Sequence, residues 1–358
     1  MVRVLIVDDS ATMRRMMQLA LDVAPDIEVA LARSGEEALR MLFSDRPDVV
    51  TLDVIMPGMD GLDCLSQIMT LHPCPVIMVS SMTSEGATNT LNALSMGAVD
   101  FIQKPQGPLS PDLEPLRSTL IRKIRIAARA QIRRTSTARP YPPRIGTQAQ
   151  TTAPLAWGKF TANAPPAFPL VLIGVSTGGP PALDTILTRL PARFPAAIVI
   201  AQHMPAAFTR SLAARLGRNC AVAVEEVGRS EVLRPGHVYI ARGEADIVIE
   251  KAAEGLIARS VPIAPERKWH PSVDRLVDSA MRAVEPQRLI GILLTGMGDD
   301  GAEAMQRLAQ SGGSTIAESA ETAIVWGMPR ALVENGGAQR VVPLHGMAET
   351  LTQLAGRM

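Results

Sequence analysis

Short apolar runs alternate with longer amphipathic segments over the first 105 residues. Five runs have the length and β-branched content of buried strands: VRVLIVDD, IEVALA, DVVTLDV, CPVIMVSS and VDFIQKP. The segments between them place apolar residues at helical spacing: SATMRRMMQLALDVA, SGEEALRMLFSD, GLDCLSQIMTLH and TSEGATNTLNALSMG. This alternation predicts a doubly wound, flavodoxin-like α/β domain, in which helices cover both faces of a parallel sheet.

A further helix is expected over about Glu114 to Arg134, and then the composition changes. Residues 135–169 contain seven prolines and no acidic residue. Such a composition is typical of a partly extended linker, and a long surface loop of the following domain is the alternative. We therefore divide the chain into a first domain at 1–121, a helix end with a Pro-rich linker at 122–168, and a second domain at 169–358.

The second domain repeats the αβ alternation on a larger scale. The runs PLVLIGV, AAIVIAQ, HVYIA, ADIVIE, RLIGILLTG and STIAES are predicted strands, and helical spacing recurs in PALDTILTRL, AAFTRSLAARL, SVDRLVDSAMRAV and DGAEAMQRLAQ. Only a few residues around Gly243 separate HVYIA from ADIVIE, which predicts a β-hairpin at a sheet edge. The expected fold is α/β with a mainly parallel sheet.

Composition narrows the function classes. The formal net charge is +1 and aromatic residues are only 3% of the chain, which disfavours nucleic acid or a membrane surface as the main partner. No apolar run approaches the ~20 residues of a membrane span, and the first residues lack a signal-peptide pattern. The three cysteines lack CxxC spacing, so a disulfide framework or zinc site is not expected and a reducing cytoplasm fits.

Charged and hydroxyl side chains mark the ends of the strands predicted in the first domain. In an open parallel sheet, the carboxyl ends of the strands form the ligand site. Any one Asp there could be a turn former or a helix cap. The residues at these strand ends are Asp8, Asp9, Asp53, Ser80 and Lys104, which precedes Pro105. Together they predict a Mg²⁺ site in which a carboxylate attacks a phosphoryl group, with nearby positive charge offsetting the negative charge on the transferring oxygens.

VDDS, LDVIMPGMDG and the Lys104–Pro105 pair resemble the receiver domain of two-component response regulators over about 120 residues. The resemblance implies that Asp53 is the phosphorylated residue. It assigns the neighbouring roles as follows: Mg²⁺ ligation to Asp8, Asp9 and Asp53 with a backbone carbonyl near Ile55, phosphoryl contact to Lys104, and the conformational switch to Ser80 and Phe101.

In the second domain, the strand PLVLIGV runs into Gly174-Val175-Ser176-Thr177-Gly178, which fits the G-x-S-x-G nucleophile elbow between a strand and a helix. A phosphate-binding loop or a simple tight turn is the alternative. If Ser176 is a nucleophile, a general base must lie within hydrogen-bonding reach. Of the five histidines, His203 directly follows the strand AAIVIAQ and is the favoured base. His270, in a loop before a helix, is the second choice.

The acid that orients the base is expected at another strand end, where RLIGILLT leads into Gly296-Met297-Gly298-Asp299-Asp300-Gly301. The same segment fits the dinucleotide pattern G-x-G-x-x-G, with Glu318 near the distance of a ribose-binding acid. A pyrophosphate at this helix N-terminus would, however, meet two carboxylates. A hydrolytic triad is therefore favoured over nucleotide binding.

The motifs IGVSTGGP, AQHMP, KWHPSVD, LLTGMGDDG and VWGMPRAL together resemble the chemotaxis response regulator protein-glutamate methylesterases (CheB family), which also deamidate glutamine. The resemblance covers roughly 1–121 and 168–358. It implies that Ser176 is the nucleophile and His203 the base. Asp300 is implied as the acid, because Asp299 falls at the variable position of GMG-x-DG. Backbone amides near Thr177 and Met297 are the candidate oxyanion donors, and His270 is retained as a substrate-contact candidate.

The implied activity is hydrolysis of glutamyl methyl esters on methyl-accepting chemotaxis receptors, with release of methanol, together with deamidation of receptor glutamines. The implied regulation is phosphorylation of Asp53 by a chemotaxis histidine kinase, with Mg²⁺ in the receiver and no cofactor for the ester reaction. No nucleic acid or membrane insertion is expected. The alternatives are a response regulator with a nucleotide-binding output, such as an oxidoreductase, or with a DNA-binding or other non-esterase output.

Overall fold

Two parallel sheets organise the residues that the computed structural model describes, which are 1–81, 83–104, 114–132 and 168–358. Pro105 and residues 133–167, which include most of the Pro-rich segment, lie outside these ranges. None of the helices in the described ranges has the length and apolar character needed to cross a bilayer.

The first sheet has five parallel strands in the order β2-β1-β3-β4-β5, the flavodoxin-like order expected from the sequence. Its strands are β1 (Val2–Val7), β2 (Ile27–Ala32), β3 (Val49–Asp53), β4 (Val76–Ser80) and β5 (Asp100–Gln103). Its helices are α1 (Ala11–Leu21), α2 (Gly35–Ser44), α3 (Gly61–Leu71), α4 (Ser84–Ser95) and α5 (Glu114–Ala127). Central strands β3 and β4 are buried throughout, as expected for strands covered on both faces.

The second sheet has seven parallel strands in the order β15-β14-β13-β6-β7-β10-β8. The strands are β6 (Leu170–Val175), β7 (Ala197–Gln202), β8 (Ala223–Val227), β10 (His237–Ala241), β13 (Leu289–Leu293), β14 (Ser314–Glu318) and β15 (Arg340–Val342). The helices are α6 (Gly179–Leu187), α7 (Ala206–Asn219), α8 (Val273–Ala283), α9 (Ala302–Gln310), α10 (Met328–Glu334) and α11 (Leu344–Ala355). A 3₁₀ turn covers Pro286–Arg288.

A third, antiparallel sheet contains β9 (Ser230–Val232), β11 (Asp246–Ala252) and β12 (Gly255–Val261). The predicted hairpin between HVYIA and ADIVIE is therefore wrong. HVYIA forms β10, which is buried on both faces and pairs in parallel with β7 and β8. The hairpin instead joins β11 to β12, where Gly255 adopts φ 126°, a conformation that glycine tolerates.

Several elements escaped the sequence prediction. β8 and β15 lie at the sheet edges and carry charged residues, so their apolar signal is weak. The helix α11 was also not predicted, and it contains His345. The helix expected to reach Arg134 ends at Ala127, and the Gln131 amide then donates to the Ile324 carbonyl at 3.2 Å. A tertiary contact with the second domain thus replaces the last helical turns.

Candidate active site

Ser176 and His203 follow neighbouring strands that end in register. Val175, the last residue of β6, pairs with Gln202, the last residue of β7. The Gln202 side chain bridges the two ends, because its Nε2 donates to the Ser176 carbonyl at 3.0 Å and to the His203 carbonyl at 3.2 Å. Ser176 and His203 therefore lie side by side and line one cavity of about 950 Å³.

His203 and Asp300 form a buried pair, with His203 Nε2 lying 2.8 Å from Asp300 Oδ2. This contact assigns the proton to Nε2, because an ionised carboxylate only accepts. The other ring nitrogen, Nδ1, is buried and has no hydrogen-bond partner within the described part of the chain. The lone pair of Nδ1 is thus available to a hydroxyl that enters the cavity, as a general base requires.

The N-terminus of α8 holds the Asp300 carboxylate. The amides of Val273 and Asp274 donate to it at 2.8 and 3.1 Å, and the Ser272 hydroxyl donates at 3.2 Å. Backbone amides at a helix N-terminus favour negative charge. Neighbouring Asp299 is exposed and takes no part in this network, so the geometry separates the two adjacent carboxylates.

The Asp274 side chain was not singled out from the sequence. It accepts the amides of Gly301 and Ala304, both at 3.1 Å, and so anchors the turn that carries Asp300. Burial and the charge of Asp300 raise its pKa. Its place in the motif SVD, directly after the Asp300-binding serine and valine, was the available signal.

The remaining candidates surround the same cavity. Thr177 and His270 line it. Met297 is not among the lining residues and is 39% exposed. His270 Nδ1 lies 3.0 Å from an oxygen of Asp246, which is fully buried. The ring of Trp269, which sequence analysis missed as a site residue, stacks on His203 with centroids 5.4 Å apart.

The structure argues against nucleotide binding, because the candidate ribose-binding acid is buried. Glu318 is inaccessible to solvent, and its Oε2 accepts the Thr295 amide at 2.8 Å. A ribose outside the sheet cannot reach this carboxyl. Of the G-x-G-x-x-G segment, Asp300 turns inward to the helix amides described above.

The acidic pocket of the first domain is also assembled. Carboxylate oxygens of Asp8, Asp9 and Asp53 lie within 4.8 Å of one another. Lys104 Nζ lies 2.6 Å from Asp53 and 3.1 Å from Asp8. Burial raises the pKa of Asp53, against the opposing effect of Lys104. Three carboxylates beside one ammonium leave a net negative charge, and oxygen donors of this kind fit Mg²⁺.

The switch candidates occupy different surroundings. Ser80 is buried, and its hydroxyl donates to the Gly86 carbonyl at 3.1 Å. Phe101 packs on Phe208 of the second domain, with ring centroids 4.3 Å apart. Phe101 therefore belongs to an interdomain contact, which its sequence context did not reveal.

Other side chains of the first domain reach the cavity that contains Ser176 and His203. The Thr177 hydroxyl, next to Ser176, donates to Asp100 at 2.7 Å. Arg122 of α5 lies over Trp269, 5.2 Å from the ring centroid. On the other side of the contact, Arg215 of α7 donates to the Leu91 carbonyl of α4 at 2.7 Å. The first domain thus lies across the mouth of the cavity that contains Ser176 and His203.

Comparison with known proteins agrees with this two-part architecture. Residues 171–351 match the family model for CheB methylesterase, and residues 4–110 match the response regulator receiver domain. A protein-glutamate methylesterase/protein-glutamine glutaminase of Rhodopseudomonas palustris is 49% identical, over 99% of this chain and 98% of its own length. A protein of the same name from Rhodospirillum rubrum is 47% identical, over 100% of this chain and 97% of its own length.

A solved structure extends the comparison to the fold of the second domain. The CheB methylesterase catalytic domain of Thermotoga maritima is 38% identical and superposes with a TM-score of 0.51, covering 52% of this chain and 99% of that one. Both the sequence relatives and the structure point to the same family. The chain belongs to the CheB methylesterase family and combines its catalytic domain with an N-terminal response regulator receiver domain.

Proposed function

We propose that this chain is a phosphorylation-activated protein-glutamate methylesterase and glutamine deamidase of chemotaxis receptors, in which Ser176, His203 and Asp300 form the catalytic triad. The observation that carries the proposal is the buried His203–Asp300 pair beside Ser176, in the loops that follow three adjacent strands of a family catalytic domain. Triads are defined by such geometry and not by chain order.

The proposed reaction starts with attack of Ser176 Oγ on the γ-carbonyl carbon of a glutamyl methyl ester. His203 Nδ1 takes the hydroxyl proton and returns it to the departing methoxide, which leaves as methanol. Asp300 keeps the proton of the neutral ring on Nε2 and stabilises the imidazolium. Water, activated by the same histidine, then hydrolyses the acyl-enzyme. With glutamine, ammonia leaves in place of methanol.

The oxyanion of the tetrahedral intermediate is proposed to bind backbone amides near Thr177 and Met297. One such donor is typically worth about 3 kcal/mol of transition-state stabilisation. His270 is proposed to contact the substrate. Because Asp246 engages Nδ1, the neutral ring presents the lone pair of Nε2, and His270 lines the cavity.

We propose that the first domain, spanning 1–121 and the remainder of α5 to Ala127, regulates the catalytic domain at 169–358 across the Pro-rich segment. A histidine kinase is the proposed phosphodonor for Asp53. Asp8, Asp9 and Asp53 would hold Mg²⁺, which neutralises charge on the transferring phosphoryl group when bound. Lys104 contacts the same group, and Ser80 with Phe101 transmits the change.

The contacts of Asp100, Arg122 and Leu91 described above support a cover model, in which the unphosphorylated receiver obstructs the cavity. Phosphorylation need only weaken this packing by a few kcal/mol to shift the equilibrium. Deleting residues 1–135 is therefore expected to raise basal activity, since the triad lies wholly in the second domain. A folded truncation less active than the unphosphorylated chain would contradict the cover model.

The proposed activity is tested by methanol release from methylated receptor in membranes, with and without a small-molecule phosphodonor. Wild type should release methanol, and the phosphodonor should accelerate the release. Asp53→Asn is the matched control, which should keep basal release and lose the acceleration. Absence of methanol release by wild type in both conditions would contradict the proposed function.

A further inference from the structure

Glu318 is a buried carboxyl that the proposed mechanism does not use. It ends β14, is inaccessible to solvent, and forms no salt bridge within the described ranges. Burying an ionisable group without a charged partner is unfavourable unless hydrogen bonds compensate. Its Oε2 accepts the Thr295 amide at 2.8 Å, whereas its Oε1 is buried and has no hydrogen-bond partner within the described ranges.

Thr295 is the junction between this carboxyl and the nucleophile. Its carbonyl accepts the Ser176 amide at 3.0 Å, and its hydroxyl donates to the Thr177 carbonyl at 2.9 Å. Val325 closes the group, because its amide donates to the Thr295 hydroxyl at 3.0 Å. The carbonyl and hydroxyl of Thr295 are thus committed to the backbone around Ser176, and Glu318 supplies the partner of its amide.

The peptide after Thr295 leads directly to the proposed oxyanion donor. Gly296 has φ 157°, and a Cβ there would lie 2.6 Å from the Cβ of Ser176. Its amide donates to the Val325 carbonyl at 2.9 Å, and its carbonyl accepts the Met328 amide at 2.8 Å. The Thr295–Gly296 peptide, whose carbonyl accepts the Ser176 amide and whose N–H donates to Val325, therefore sets the direction in which the chain continues to Met297.

Glu318 also contacts the segment that pairs with Gly296. Its carbonyl accepts the indole N–H of Trp326 at 3.1 Å, and Trp326 forms a β-bridge with Gly296. Through its side chain and its backbone, Glu318 thus holds both Thr295 and Trp326, which lie on the two bridged chain segments next to Ser176.

We infer that Glu318 is a positioning residue, which fixes the backbone of Ser176–Thr177 relative to that of Gly296–Met297 by holding the Thr295 amide. The inference deepens the proposed function and rests on it, because it takes Ser176 as the nucleophile. A donor amide needs an acceptor oxygen at this place and does not need a charge. The conservative replacement is therefore glutamine, and the disruptive one is an apolar residue of similar size.

The test uses the full-length protein and compares Glu318→Gln, Glu318→Leu and Glu318→Asp, with Glu321→Gln as the control at an exposed carboxyl three residues away. Methanol release gives kcat and KM, and thermal unfolding gives Tm. Gln should stay within about threefold of wild type, since its carbonyl oxygen still accepts one hydrogen bond. Leu should lower kcat about 10²-fold with little change in KM, the scale of a displaced oxyanion donor.

A fluorophosphonate probe supplies a second readout that does not depend on the receptor substrate. Ser176 Oγ bonds to phosphorus, fluoride leaves, and His203 takes the hydroxyl proton. The labelling rate should follow the same order, with Gln near wild type and Leu far slower. A folded Leu variant that turns over and labels at the wild-type rate would overturn the inference.

If Glu318→Leu does not fold, Glu318→Asp decides the question. Its carboxyl lies one methylene further from Thr295, so kcat and labelling should fall about tenfold or more. Wild-type rates for this variant would overturn the inference. Labelling of Ser176 without any methanol release would contradict the proposed function, while the labelling rates still decide the role of Glu318. A wild-type protein in which Ser176 is not labelled would overturn both.

Discussion

The two sites of this molecule both place carboxylates beyond strand ends, but they stabilise the negative charge in opposite ways. In the receiver, Asp8, Asp9 and Asp53 lie within 4.8 Å of one another, with Lys104 as the cation in contact with two of them. In the catalytic domain, the Asp300 carboxylate is held by amides and a hydroxyl at the N-terminus of α8. One site leaves negative charge uncompensated, and the other compensates it internally.

This difference fits the roles proposed for the two sites, a switch in the receiver and a catalyst in the second domain. A site with excess negative charge depends on a bound cation and changes when a phosphoryl group arrives. A site whose charges are already held by fixed dipoles requires no reorganisation during the reaction. The receiver is therefore suited to sense a signal, while the proposed triad is preorganised and, in the cover model, needs only to be uncovered.

The largest effect is expected for Ser176→Ala, which should abolish esterase and deamidase activity and leave phosphorylation of Asp53 intact. Loss of a serine nucleophile can cost about 10⁶ in kcat. Methanol release, ammonia release and phosphodonor-dependent labelling of Asp53, measured on the same preparation, separate the two sites. Substantial residual methanol release would remove Ser176 from the nucleophile role.

The next effect tests the internal compensation of the catalytic site. Asp300→Asn should lower kcat by about 10⁴, because an amide favours the wrong tautomer of His203. Asp299→Asn is the matched control, since this exposed neighbour acts only through the helix terminus, within about 1 kcal/mol. The ratio of the two kcat values is the measurement, and a reversed ranking would show that the acid is misassigned.

The contrast between the sites also shows what the sequence can reveal. Strand ends, the elbow around Ser176 and the acidic cluster around Asp53 are local patterns, and chain order alone places them at the same edge of a parallel sheet. The partners of these residues are not local. Thr177 and Asp100 are 77 positions apart, and Arg215 and Leu91 are 124 apart. No periodicity encodes such contacts.

The same reason accounts for the misplaced strand. Whether HVYIA pairs with its neighbour in sequence or enters the parallel sheet depends on its burial on both faces, which is a property of the assembled domain. For Glu318, the spacing in the sequence suggests a role that the surroundings of its side chain do not support. Its spacing fits a ribose-binding acid, whereas its side chain is directed inward to Thr295.

His270 offers a smaller and more selective test of the catalytic cavity. With Nδ1 engaged by Asp246, the Nε2 lone pair can accept a hydrogen bond from the amide of a glutamine, while a methyl ester has no such donor. His270→Leu should therefore lower the rate of deamidation about tenfold, which is the effect expected for the loss of one hydrogen bond, and should lower demethylation less. Exposed Glu266→Gln, which does not line the cavity, is the control, and both activities should respond to it equally. An equal loss of both activities in His270→Leu would contradict this role.

The cover model can be tested at a contact between the two domains that is remote from both proposed reactions. Arg215 bonds α4 of the receiver and Asp184 of α6 simultaneously, so Arg215→Ala should weaken the closed arrangement. We expect a several-fold rise in basal methanol release, up to about tenfold for 1.4 kcal/mol, and a smaller ratio of phosphorylated to basal activity. Exposed Arg218→Ala on the same helix is the control. Unchanged basal activity with unchanged stimulation would show that this contact does not hold the cover.

The smallest effect concerns stability and pH. Burial raises the pKa of Glu318 above its ordinary value of 4.5, against the hydrogen bond from the Thr295 amide that lowers it. A raised pKa in the folded state means that the contribution of this group to stability is fully present below about pH 4.5 and is lost as pH rises through the folded-state pKa. Glu318→Gln removes this titration and leaves every other group in place. The free energy of unfolding in urea, measured for both proteins from pH 4.5 to 9, should therefore shift in favour of the glutamine variant as pH rises. A difference that shifts toward wild type would mean that the folded protein favours the ionised carboxylate of Glu318 and stabilises its charge with fixed dipoles, as it does for Asp300.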